Sequence, residues 1–106
     1  MADDRTGAVF AALSDPTRRQ VMRALSERGA VTATELAAGL PVTRQAVTKH
    51  LHALSHAGLV TSERKGRETR YRLTPRPLAA AMDWIVEVGS RWDERLESLK
   101  AHLSPK

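Results

Sequence analysis

Apolar residues along the chain recur at helical spacing over five stretches, and two short segments near the middle alternate instead. Val9, Phe10 and Leu13 form a brief stripe that predicts a first helix over about Thr6 to Ser14. Asp15-Pro16 interrupts it and restarts the pattern. An aspartate can cap the following helix, and proline suits a first helical position where its missing N–H costs nothing. Val21, Met22 and Leu25 are the inward positions of that second helix, which should stop at Arg28-Gly29. Thr32-Ala-Thr-Glu35 has the spacing of a capping box and opens a short third helix with Leu36 and Leu40 buried. Thr43 then caps a fourth helix, running to about Ala57 and ended by Gly58, with Val47, Leu51 and Leu54 on one face. Two short helices joined by the turn Gly39-Leu40-Pro41-Val42 describe a helix-turn-helix.

Residues Leu59–Ser62 and Thr69–Leu73 are β-prone and flank a polar stretch centred on Gly66, which predicts a β-hairpin directly after the second helix of the motif, a wing. Period-2 alternation puts Arg70 and Arg72 on one face of its second strand, and Tyr71 and Leu73 on the other, where Tyr71 should pack rather than stack on a base. From Pro75 or Pro77 the pattern is helical again to about Leu103, with Pro105 beyond its end. That helix would be about 43 Å long, more than a small domain needs. Leu78, Met82, Ile85, Gly89, Trp92, Leu96, Leu99 and Leu103 follow a 4-3-4-3 spacing, a heptad seam, and a glycine within it lets another backbone come close.

The expected fold class is therefore mainly α with a small β-hairpin, a winged helix-turn-helix of order α-α-α-α-β-β-α. All 106 residues form one domain. Residues 16–74 are its core, and 5–14 and 75–103 are helices for homodimerisation. Val9, Phe10, Leu13, Met82, Trp84, Ile85, Trp92, Leu96 and Leu99 are the expected interface. Three of the four aromatic residues lie in these two end helices, which suits a dimer better than a monomer core.

Charge sharpens the picture. Between Val42 and Arg72, seven basic residues stand against two acids, so this segment carries the whole net charge of +5. A basic segment on a neutral body is the footprint of a nucleic-acid binder. The stretch VTRQAVTKHLHAL at residues 42–54 has no acid at all. Thr43, Arg44, Gln45, Thr48, Lys49 and His52 lie away from its apolar face. Glutamine pairs bidentately with adenine, arginine and lysine with guanine, and threonine meets a thymine methyl or a phosphate. Carboxylates there would repel phosphates. The wing cations Arg64, Lys65, Arg67, Arg70 and Arg72 suit phosphate or minor-groove contact, which positions the protein more than it specifies sequence.

Other chemistry finds little support. The absence of cysteine excludes disulfides, thiol redox sensing and thiolate metal sites. No apolar run reaches membrane-spanning length, and the acidic, polar start is no secretory signal, so a cytoplasmic protein without membrane contact is expected. No phosphate loop, carboxylate pair or nucleophile elbow points to an enzyme. His52 and His56 have an i, i+4 spacing that can bind zinc but lack a third ligand, so no metal or other cofactor is expected. An architectural or RNA-binding protein, tolerant of sequence, is the alternative to a specific regulator. It lacks an aromatic stacking platform, Tyr71 being the only wing aromatic.

ALSDPTRRQVMRAL, TATELAAGL, VTRQAVTKHLHALSHAGLV and ERKGRETRYRLT, in this order over about residues 8–74, closely resemble the ArsR/SmtB-type winged-helix repressors. The last helix, with Trp84, Trp92 and its LESLKAHL ending, resembles a metal-independent branch of that family. The resemblance implies a homodimeric bacterial transcription factor on a palindromic operator of double-stranded DNA, usually repressing its own operon. It also implies that Thr43, Gln45, Thr48 and Lys49 approach the major groove, that the wing reaches the flanking minor groove, and that His50 packs or bonds internally. The family's metal sites do not carry over: Ala37 and Ala38 stand where its third-helix thiolates would be, and Ile85, Leu96 and Leu99 fall where its last-helix ligands would be. A small-molecule inducer beside Met82, Trp84 and Trp92 is conceivable, plain dimer core being the stronger reading of those residues.

Overall fold

The computed structural model describes residues 2–103, and side chains from Thr6 onward. Pro105 lies outside the described residues. The elements run α1 (Ala2–Leu13), α2 (Pro16–Arg28), β1 (Val31–Thr32), α3 (Ala33–Ala38), α4 (Arg44–His56), β2 (Val60–Lys65), β3 (Glu68–Leu73) and α5 (Arg76–Leu103). The winged helix-turn-helix order expected from the sequence is present, with one strand added. The first helix begins four residues before Thr6.

Local chemistry sets most boundaries. The Asp15 carboxylate accepts from the backbone N–H groups of Thr17 at 2.8 Å and Arg18 at 3.1 Å, and Pro16 opens α2. Both halves of the capping box form at α3: Glu35 N–H donates to Thr32 Oγ1 at 3.1 Å, and Thr32 N–H donates to Glu35 Oε1 at 2.8 Å. Thr43 Oγ1 accepts from Ala46 N–H at 3.1 Å at the head of α4. At its tail Gly58, at φ +77°, lets Leu59 N–H reach Leu54 O at 2.9 Å and Gly58 N–H reach Ser55 O at 3.0 Å. This is a Schellman closure, and the buried Leu54 and Leu59 supply its hydrophobic contact.

The strands form one antiparallel sheet in the order β1-β3-β2. β2 and β3 pair from Val60↔Leu73 to Lys65↔Glu68, leaving Gly66 and Arg67 as a two-residue turn. Gly66 takes φ +62°, the positive value that the first residue of a II′ hairpin turn requires. β1 pairs with the other edge of β3 through Val31↔Tyr71 and Thr32↔Arg70. This third strand is absent from the sequence reading: two residues before a capping box look like helix entry, and only β3 makes them a strand.

Val9, Val21, Leu25, Leu36, Val47, Leu51, Leu54 and Leu59 are fully buried in a single core formed by α1–α4 and the base of the wing. Leu40 is only partly buried at its edge, and Tyr71 packs on it as the alternation predicts. Val9, expected at a dimer interface, is a correction. It is fully buried within its own protomer and has no surface to offer a second copy. Leu13 and Leu78 also pack partly on their own core. Ala81 is buried in it, and beyond Val88 α5 leaves the body, with residues 89–103 all exposed. The molecule measures 70 × 31 × 19 Å with a radius of gyration of 18.7 Å, against about 13 Å for a compact chain of this length.

Glu35 has its carboxyl held below its ordinary value of 4.5, chiefly by the Thr32 N–H and with help from Arg70 and Arg28. A lowered folded-state value means that the stability Glu35 contributes is complete above that ordinary value and is lost as pH falls through the lower one. Glu35→Gln, which can still accept from Thr32, should therefore show a smaller loss of stability on acidification below pH 4.5 than the parent. Urea midpoints across that window check this.

Candidate nucleic-acid interface

Burial of Val47, Leu51 and Leu54 sets the rotation of α4. The opposite side carries Arg44, Gln45, Lys49 and His52, all exposed, with Thr43 exposed at the cap. Thr48 is half-buried, and its hydroxyl donates to Arg44 O at 3.0 Å, which leaves the oxygen free to accept. Arg44 is the first helical residue and no acid occupies the first turn, so the positive end of the helix dipole adds to the cationic side chains.

His50 turns the other way. It is partly buried, and its Nδ1 is enclosed without a hydrogen-bond partner among the described residues. The Asp15 carboxyl lies below its ordinary value chiefly through the Arg18 N–H. An inward His50 matches what the family resemblance implies. His52 and His56 are exposed, and no cluster of three or more His, Cys, Asp or Glu occurs among the described residues.

The wing separates its cations into two sets. Arg64, Lys65, Arg67 and Arg72 are exposed. Arg64 Nε reaches Gly66 O at 3.3 Å across the turn, and Lys65 approaches Glu63 at 3.9 Å in a solvated pair that contributes little. Arg70 is held. Its Nη2 donates to Glu68 Oε1 at 3.0 Å, and its Nη1 lies 3.4 Å from Ala30 O and 3.8 Å from Glu35 Oε1. The Glu35 carboxylate thus joins three elements, capping α3, accepting from β1 at Thr32 and facing β3 through Arg70. Arg28 Nη1 adds a bond to Glu35 O at 2.9 Å. Reading the sequence assigns Glu35 a capping role alone. Its link to Arg70, 35 residues away, depends on the strand that the sequence hides.

Between α3, the head of α4 and the wing lies a cleft of about 470 Å³. Arg44 and Arg67 both line it, with Thr34, Thr48 and Thr69 and the carboxylates of Glu35 and Glu68. The fold thereby brings the first residue of the fourth helix and the tip of the wing to one surface. Thr34 and Thr69 were not singled out in the sequence, since neither carries charge nor lies in the basic helix.

A helix-turn-helix whose second helix presents an acid-free polar face beside a basic hairpin defines a winged helix DNA-binding domain. A family model described as a helix-turn-helix domain matches residues 13–63. The HTH-type transcriptional regulator YuzN of Bacillus subtilis is 50% identical over 66 residues, covering 57% of this chain and 72% of that protein. The transcriptional repressor SdpR of Bacillus subtilis is 31% identical over 88 residues, 83% of this chain and 97% of SdpR. Among solved structures, an ArsR-like transcriptional regulator from Rhodococcus sp. RHA1 superposes with a TM-score of 0.83 at 41% identity, over 97% of this chain and 96% of that one. The chain belongs to the ArsR/SmtB-type family of winged helix-turn-helix regulators, and it is a DNA-binding transcriptional regulator. No helix among the described residues is long and apolar enough to cross a membrane.

The two sets of wing cations should respond differently to alanine. Arg67→Ala should weaken binding to all duplexes alike and reduce the slope of log K against log salt by about one. Arg70→Ala should leave that slope near the parent value while increasing amide exchange in β1 and β3. Anisotropy titrations at several salt concentrations, with exchange measured in parallel, separate the two roles.

Proposed function

We propose that the protein is an autoregulatory repressor that binds a palindromic operator as a cytoplasmic homodimer. The observation that carries this reading is the acid-free face of α4, set beside the wing tip across one cleft. Each protomer would lay α4 in a major groove, with Gln45 and Lys49 at base edges and Thr43, Arg44, Thr48 and His52 at bases or flanking phosphates. Arg64, Lys65, Arg67 and Arg72 would follow the adjacent minor groove and backbone. Two copies would meet through α5 with Phe10 of α1, and half-sites would lie about 34 Å apart, one turn of DNA.

Support for pairing comes from α5. Met82, Trp84, Ile85, Val86, Trp92, Leu96, Leu99 and Leu103 are all large, apolar and about half or more exposed. A patch of that extent on one helix marks an interaction surface. Phe10 meets Trp84 edge-on, with centroids 5.5 Å apart, and ties the first helix to the base of this surface. Repression is the activity named for SdpR, and this chain covers 97% of that protein. A small-molecule inducer that altered the packing of α5 would change half-site spacing and release the operator.

Gln45→Ala should relax base preference at one position of each half-site, at a cost of about 1–3 kcal/mol on the preferred duplex and less on its single-base variants. Competition titrations with a set of such variants check this. A uniform loss across all of them would place Gln45 on the backbone rather than on a base.

A further inference from the structure

Arg44 heads α4 and Arg67 sits at the turn of the wing, yet both line the one cleft between these elements. Neither guanidinium forms an ion pair or hydrogen bond among the described residues. The same holds for the hydroxyls of Thr34 and Thr69 in the same lining. Thr48 differs, because its hydroxyl proton is already given to Arg44 O.

The two carboxylates of the lining are engaged. Glu68 Oε1 accepts from Arg70 Nη2 at 3.0 Å. Glu35 Oε1 accepts from Thr32 N–H at 2.8 Å and faces Arg70 Nη1 at 3.8 Å, while Arg28 Nη1 donates to Glu35 O at 2.9 Å. Arg28 and Arg70 thus offset Glu35 and Glu68, and the charge of Arg44 and Arg67 is left over. The cleft calls for a negative group that accepts hydrogen bonds from several directions at once. A phosphate meets both conditions: its oxygens take charge-assisted bonds from guanidinium groups and accept from hydroxyls as well.

B-DNA brings such a group to this place. The major groove admits an α-helix, and the wing is read above as following the adjacent minor groove. One sugar–phosphate strand separates two neighbouring grooves, so that strand has to pass over the gap between α4 and the wing. We propose that the cleft seats a single backbone phosphate of the DNA, held by Arg44 and Arg67 together with the Thr34 and Thr69 hydroxyls. The seat rests on the placement of α4 and the wing proposed above. It adds a register, since one phosphate ties helix to hairpin and the entry of either into its groove fixes the other. Because both cations address one phosphate, loss of either opens the seat, and loss of the second releases no further counterion.

Salt dependence counts the phosphates neutralised, at about 0.9 in the slope of log K against log salt for each one on B-DNA. Anisotropy titrations of R44A, R67A and the double variant, against a duplex recovered by selection from random sequence, should lower that slope by about one in all three. Duplexes with a single neutral methylphosphonate linkage should reveal one linkage per half-site whose neutralisation weakens the parent about tenfold and leaves R67A unaffected. T34V and T69V, which keep the side-chain shape, should each lose about threefold in affinity, and T69S should restore parent binding. A slope lowered by about two in the double variant, with affinity losses that multiply, would overturn the shared seat in favour of two separate phosphate contacts. Parent-like binding by T34V and T69V would overturn the role given to the hydroxyls. Parent-like slope and affinity in both R44A and R67A would reject the placement of α4 and the wing itself, a failure distinct from that of the seat.

Discussion

The orientation of α4 is fixed by the burial of Val47, Leu51 and Leu54, and the rest of the DNA-binding surface depends on that constraint. Successive helical residues are about 100° apart, so burying this stripe leaves Arg44, Gln45, Thr48, Lys49 and His52 no direction but outward or along the flank. The same rotation brings His50 inward, where its Nδ1 is enclosed. Thr43 at one end and Gly58 with Leu59 at the other hold the helix to the length at which its basic head reaches the surface. A rotation of one residue would bury cations and expose leucines, so core packing and the outward polar face proposed for base recognition are set by a single pattern.

The wing is placed by a different kind of bond. A two-stranded hairpin alone is only marginally stable in water. Here β1 pairs with β3, and Glu35 and Arg70 bridge the head of α3 to the wing. A carboxylate that already caps a helix is held in place and ionised, which makes it a suitable anchor for a guanidinium on a neighbouring strand. Arg70 is engaged by Glu68 and Glu35, while Arg67 at the turn shares a cleft with Arg44. In the proposed reading, the charge that would contact DNA and the charge that positions the wing are separate, although Arg67 and Arg70 stand three residues apart on the same hairpin.

Much of this was readable in the residues. The caps at Asp15, Thr32 and Thr43 and the closing glycines at 29, 58 and 66 are local devices, and each appears where its sequence signature predicts. The helix-turn-helix, the wing and the basic face of α4 follow from periodicity and charge. What escaped is long-range. β1 is too short to have a period, and the Glu35–Arg70 pair exists only because of it. Val9 shows a related limit: periodicity marks it as apolar and inward but cannot say whether its neighbours belong to the same chain or a second one. The heptad spacing of α5 was visible, yet Leu78 at its start packs on its own core. Pro77 and Ala81 are covered by the body while Met82 and Ile85 are exposed, a division set by how α5 meets the body and invisible in the period of one helix.

The most direct test of the account is an anisotropy titration of the protein against a duplex recovered by selection from random sequence, and against a scrambled duplex of the same composition, each at two salt concentrations. The account predicts preference for the selected duplex by a factor of about 10³ or more, with two-fold symmetry in the selected sequence. Equal, steeply salt-dependent binding to both duplexes would show that the basic surface recognises backbone charge alone, and would contradict the assignment of α4 to base recognition.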